Sequence, residues 1–110
     1  MQHLVNLSNG VQIPALGQGT WHLGDSPERY DQELAALRAG IDAGMTLIDT
    51  AEMYGNGRAE RLVGAAIRPY ECSTLFLVSK VLPSNVCGAR FMQSLDQSLS
   101  YLGTDYLDLY

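Results

Sequence analysis

Positive charge is what this chain has least of. Lys80 is its only lysine, and its 12 acidic residues outnumber 7 basic ones, for a formal net charge of -5 and a pI near 4.7. That balance argues against nucleic acid or an anionic membrane surface as a partner and for a soluble, mildly acidic exterior. Histidine is limited to His3 and His22, with no carboxylate or cysteine at metal-ligand spacing, so no metal site is expected. Cys72 and Cys87 lie too far apart for a C-x-x-C motif, and reduced thiols are the expectation. Cys87, in a loop before the third helix with no His-led dyad near it, reads as structural rather than nucleophilic. No uninterrupted apolar run reaches the ~18 residues of a membrane span, and Met1 to Asn6 lacks the basic start and apolar stretch of a signal peptide, so a cytoplasmic location is the default expectation.

What is present is apolar periodicity. At 110 residues, 46% hydrophobic and 17% charged, the chain can bury a modest core and fits one small domain or a piece of a larger one. His3 to Leu7 and Val11 to Ile13 flank Ser8-Asn9-Gly10, a hairpin signal in which Asn and Gly both tolerate positive φ. Pro14 to Thr20 reads as a short glycine-bearing strand, followed by a polar loop from Trp21 to Asp25. Ser26-Pro27 opens a helix, with the hydroxyl as cap and Pro at the first helical position. Tyr30, Leu34, Leu37 and Ile41 recur at helical spacing before Ala43-Gly44 ends that helix.

Thr46 to Ile48 is a second strand, and Ala59 to Ile67 a second helix with Leu62, Val63, Ala66 and Ile67 on one side and Pro69 as a stop. Thr74 to Ser79 reads as a strand covered on both faces, and the helix after it sets Phe91, Leu95, Leu99 and Leu102 on one stripe before Gly103. Thr104 to Tyr110 reads as a fourth strand. Strands alternating with helices of this length imply a parallel sheet. A parallel sheet needs both faces covered, so residues 1–110 are expected to be the first part of a larger α/β domain.

The residues that can carry chemistry sit where strands end. Asp49 closes the run Leu47-Ile48, Tyr54 follows five residues later, and Lys80 ends Leu75-Phe76-Leu77-Val78-Ser79. All three fall at or just beyond the carboxyl ends of neighbouring strands, where parallel α/β folds build their sites. A phenol, with an ordinary pKa of about 10, is a reluctant acid at neutral pH, and a close ammonium favours its ionised form. Asp49 paired with Lys80 would hold that ammonium against the Tyr54 oxygen, a set suited to giving a proton to a carbonyl oxygen. The competing reading makes Lys80 a solvated strand end, Asp49 a loop cap and Tyr54 a packed aromatic. Gly17 and Gly19 do not begin a dinucleotide fingerprint, because His22 stands where a third Gly is required and no helix opens there. Trp21 reads equally as a surface-covering aromatic or a wall of a substrate pocket. Gly55-Asn56-Gly57 lacks the Lys and Ser or Thr of a phosphate loop and reads as a mobile turn leading away from Tyr54.

At Gly17-Gln18-Gly19-Thr20-Trp21, at Ala36 to Gly44, at Ile48-Asp49-Thr50-Ala51-Glu52-Met53-Tyr54-Gly55 and at Leu77-Val78-Ser79-Lys80-Val81 the chain resembles the aldo-keto reductase family, bacterial members above all. The resemblance runs nearly end to end. It implies a partial (β/α)8 TIM barrel: an N-terminal hairpin that closes the barrel below, about three βα units and a fourth strand, all within a single domain of which residues 1–110 are the N-terminal part. It also implies NADPH-dependent reduction of aldehydes or ketones by a full-length monomer acting on a small carbonyl substrate. In that reading Tyr54 is the general acid, Lys80 assists its ionisation, Asp49 braces Lys80 and lies near the nicotinamide ribose, Gly19 and Thr20 line the cofactor end, and Trp21 the substrate end.

The family's fourth catalytic residue, a His after the fourth strand, has no match among these residues, and His22 is not at its position. The aromatic that stacks on nicotinamide and the basic residues that hold the adenosine phosphate are missing as well, so little or no reductase activity is expected of the 110 residues by themselves. Two rival readings remain: a non-catalytic barrel with a binding or regulatory role, and an inactive truncated remnant. The intact Asp49, Tyr54 and Lys80 favour the enzyme.

Overall fold

The structure, a computed structural model, describes residues 3–110. Its extents of 42 × 41 × 20 Å are those of a slab: a sheet backed by one layer of helices. Two short strands, β1 (Leu4–Asn6) and β2 (Gln12–Pro14), form the antiparallel hairpin. In its turn Gly10 has positive φ (+87°) and Asn9 does not. The Gly10 amide donates to the Leu7 carbonyl and the Leu7 amide to the Val11 carbonyl, so Ser8, Asn9 and Gly10 make the turn as expected, the last alone in the left-handed region that glycine enters freely.

Three parallel strands follow in the order β3 (Gln18–Gly19), β4 (Leu47–Asp49), β5 (Phe76–Val78). Register pairs Gly19 with Asp49 and Asp49 with Val78, which brings three strand ends level with one another. The expected fourth strand is reduced to one parallel bridge between Val78 and Leu109, supported by backbone bonds from the Asp108 and Leu109 amides to Leu77 and from the Ser79 amide to Leu109. The Asp108 carboxylate competes there, accepting the Leu77 amide that a continued ladder would use.

The helices are α1 (Tyr30–Asp42), α2 (Arg58–Ile67) and α3 (Ala89–Leu102), and α2 packs against both others. Ser26 does not cap α1 as expected: its hydroxyl bonds the Glu28 carboxylate, and a short 3-10 turn at Pro27–Arg29 leads into the helix. The other end behaves as the sequence suggests, with Ala43 as the last cap and Gly44 at φ +100°. Ile48 and Leu77 project into the helix layer and join Leu37, Ile41, Leu62, Val63, Ala66, Ile67, Leu75 and Leu102 in one core. Each Val, Leu or Ile among them contributes about 1.5–3 kcal/mol on full burial, which makes this layer the main source of stability. Arg38 closes α2 from outside by donating to the Ala65 and Ala66 carbonyls (3.0 Å each), a cation placed at the negative end of a helix.

The far face of the sheet is different. Leu47, Phe76 and Val78 are half-buried there, so β5 is covered on one face and not on both as its composition suggests. On α3, likewise, Phe91, Leu95 and Leu99 are only half-covered, and the helix buries the line Ser94, Ser98, Leu102 instead. Small residues on that line let α2 and α3 approach closely: a Cβ on Gly64 would lie 2.2 Å from the Tyr101 carbonyl oxygen. Gly64→Ala is therefore expected to destabilise the fold by about 2–3 kcal/mol through overpacking against backbone that cannot yield. Urea unfolding checks this, and an unchanged midpoint would contradict the close approach.

Candidate functional site

The level strand ends carry the candidate site. β4 delivers Asp49, the residue after β5's last pair delivers Ser79 and then Lys80, and alternation along β5 sends Ser79 toward the helices and Lys80 to the opposite face. The ladder continues past the strands, with the Thr50 amide donating to Val78 O (2.8 Å) and the Glu52 amide to Lys80 O (3.2 Å). Tyr54 then stands at the start of a sharp reversal in which Gly55, Asn56 and Gly57 are all left-handed, at φ 60°, 53° and 97°. Glycine takes that conformation without strain and Asn tolerates it better than most residues, so the sequence can turn back into α2 within three residues while holding the Tyr54 ring over the strand ends.

Lys80 Nζ lies 2.9 Å from both Asp49 carboxylate oxygens, 2.9 Å from the Thr50 carbonyl oxygen and 3.4 Å from the Tyr54 hydroxyl. The ammonium thus donates to a carboxylate, a backbone carbonyl and a phenol together. Burial works against its charge, but the hydrogen bonds to Asp49 and Tyr54 outweigh burial and hold its pKa above the usual lysine range. With Lys80 and Asp49 side chains 42% and 43% exposed, the pair adds only about 0–1 kcal/mol to stability. Its stabilising effect is complete below pH 10.5 and fades as pH rises through the elevated folded value. An interaction this weak for folding matters for where it holds an amine.

Gly19 lies beside Asp49 in register, and apart from its chain neighbours no residue comes within 4 Å of where its Cβ would stand, so the strand end is open to a bound group. Thr20 does not line that opening with its side chain: it is buried, and its hydroxyl donates to the Asp49 carbonyl (2.9 Å), bracing the backbone that carries the carboxylate. Trp21 is 68% exposed, its ring 6.3 Å from that of Tyr54 and stacked on His22 at 4.5 Å. The Trp21 loop is tied down by Asp25, whose carboxylate takes His22 Nδ1 on one oxygen and the Arg58 guanidinium on the other. Gly19, Trp21, Asp49, Tyr54 and Lys80 therefore gather at one end of the sheet, with Thr20 beside them and its side chain turned inward. Both cysteines are free thiols.

One residue escaped the sequence reading. Glu60, in the first turn of α2, is buried and accepts the Ser79 hydroxyl at 2.7 Å on Oε2, while its Oε1 has no hydrogen-bond partner. The visible signal was a carboxylate on the stripe Glu60, Val63, Ile67 that faces the core. Burial raises its pKa; Ser98 and Ser79 pull the other way, and Glu52 adds to the rise. Tyr110 is the further titratable group facing it.

Comparison with known proteins gives a consistent result. The model of the Aldo/keto reductase family matches residues 15–110. Methylglyoxal reductase YeaE of Escherichia coli is 50% identical over 109 residues, which cover 99% of this chain and 38% of that protein. Aldo-keto reductase YhdN of Bacillus subtilis is 34% identical over 122 residues, covering 100% of this chain and 37% of its own length. Among solved structures, an aldo/keto reductase from Klebsiella pneumoniae in complex with NADP and acetate superposes with a TM-score of 0.92 at 46% identity, over 100% of this chain and 38% of that one. The chain thus spans less than two fifths of the length of these relatives. Its sheet and helices are part of a TIM barrel, and among the described residues no closed barrel forms.

The buried Glu60 yields a pH prediction. The folded state holds its proton more tightly than the unfolded chain, whose value is 4.5, so stability from this group is greatest below pH 4.5 and declines as pH rises toward the elevated folded value. Glu60→Gln removes that decline. The stability difference between Glu60→Gln and the unaltered chain, from urea titrations at several pH values, should grow in favour of the variant across that window; a constant difference would contradict the buried acid.

Proposed function

We propose a carbonyl reductase function from the premise that this chain belongs to the aldo/keto reductase family. Residues 1–110 are, in this reading, the N-terminal part of a single barrel domain, and the complete barrel reduces small aldehydes or ketones to alcohols as a monomer with NADPH as cofactor. Support for the cofactor comes from the Klebsiella relatives, crystallised with NADP and with NADPH, and from the unobstructed strand end at Gly19 next to Asp49. Support for a small carbonyl substrate comes from the Escherichia coli relative, which is named for methylglyoxal.

NADPH, when bound, supplies the hydride for the carbonyl carbon. Tyr54 is the general acid: its phenol gives its proton to the carbonyl oxygen as the C–H bond forms, leaving the alcohol and a phenolate. Lys80 acts on that phenolate, since an ammonium already hydrogen-bonded to the phenol oxygen stabilises the negative charge where it develops. Asp49 holds Lys80 in place with both carboxylate oxygens and stands at the cofactor end with Gly19. Thr20 contributes there through the backbone it braces, and Trp21 walls the substrate side next to the Tyr54 ring.

The observation that carries the proposal is the Lys80 ammonium shared between Asp49 and Tyr54. A non-catalytic barrel has no use for an ammonium directed at a phenol, which is why the binding or regulatory reading ranks second. In the complete barrel, Tyr54→Phe should lower kcat for carbonyl reduction by about 10²–10⁴-fold while NADPH affinity stays within a factor of a few. Stopped-flow reduction with NADPH titration checks both, and full activity in the variant would remove Tyr54 from the role given to it.

A further inference from the structure

We infer that Glu60 is a positioning residue for the Lys80 ammonium, acting through the Ser79 hydroxyl. The inference rests on the proposed role of Lys80 but concerns a contact on the other side of the sheet. Ser79 immediately precedes Lys80, and the two side chains leave the strand end on opposite faces. Glu60 follows Tyr54 by one tight turn and opens α2. The 2.7 Å bond from Ser79 Oγ to Glu60 Oε2 therefore joins the segment that carries the amine to the segment that carries the phenol, from beneath, while the Lys80 contact joins them from above.

Filling the core cannot be the reason for a carboxyl group there. It takes no part in any ion pair among the described residues, and its Oε1 is buried without a partner. The Ser98 hydroxyl is near enough to favour the charged form, yet no bond of sound geometry joins them, and Ser98 Oγ and the Tyr110 hydroxyl are themselves buried and unpartnered. A leucine of similar volume would fill the space without burying an unpaired oxygen. What leucine cannot do is hold the Ser79 hydroxyl, and through it the direction in which the next residue leaves the strand.

Because Lys80 is the only lysine in residues 1–110, lysine labelled at Cε and Nζ gives one side-chain signal from this chain, and its titration reads the Asp49 and Tyr54 contacts directly. Glu60→Gln keeps an acceptor for Ser79 and should leave the resonance and its raised midpoint in place. Glu60→Leu and Ser79→Ala should both move the resonance toward that of free lysine and bring the midpoint down toward about 10.4, while core methyl resonances from Ile48 and Leu62 stay put. The double variant should shift it no further than either alone. An unmoved Lys80 signal in folded Ser79→Ala overturns the inference, as does a shift in Glu60→Gln equal to that in Glu60→Leu; if Glu60→Leu does not fold, Ser79→Ala decides. A fully active Tyr54→Phe would instead sink the catalytic reading and leave these shifts as predicted, so the two failures are distinguishable.

Discussion

One ammonium group organises this end of the molecule. Lys80 has three donors, and the structure occupies them with the Asp49 carboxylate, the Thr50 carbonyl and the Tyr54 hydroxyl. An exposed ion pair of this kind contributes little to folding, so its importance is geometric. The carboxylate offsets part of the cost of holding a charge near the sheet, and the remaining hydrogen-bonding capacity of the amine is turned toward a phenol that can lose a proton.

Everything beneath serves to make that arrangement arise from the backbone. Register places Gly19, Asp49 and Val78 side by side, and the ladder bonds of Thr50 and Glu52 carry the alignment past the last strand residues. The consecutive left-handed residues after Tyr54 return the chain to α2, which is buried against α1, α3 and the sheet. A site built this way needs little induced order from its own side chains, because the strands that carry them are fixed by the core.

The sequence made the helices and the strand ends legible because their signals are local: apolar spacing along α1 and α2, glycine after α1, and polar residues where apolar runs stop. It made the gathering of Asp49, Tyr54 and Lys80 legible because all three fall at or just beyond the ends of strands that lie side by side. Its failures have physical causes. Ser26 prefers the carboxylate two residues on to the helix amides, and Asp108 takes the Leu77 amide that would have extended a fourth strand. β5 reads as covered on both faces because its composition suits a barrel interior, whereas the described residues cover one. Thr20 looked like a pocket residue, yet a hydroxyl beside a free carbonyl is satisfied at once and is drawn inward. Glu60 was hidden by its charge, since a carboxylate in an apolar stripe reads as solvent-facing until the Ser79 hydroxyl is seen opposite it.

Lys80 and Tyr54 are held together before any ligand arrives. Nuclear Overhauser transfer between the Lys80 ε-methylene and the Tyr54 ring protons tests that directly, since the amine lies 5.0 Å from the ring centroid and the methylene belongs to the only lysine. The structure predicts a clear cross-peak in the ligand-free chain; its absence, with the methylene at its random-coil shift, would contradict it.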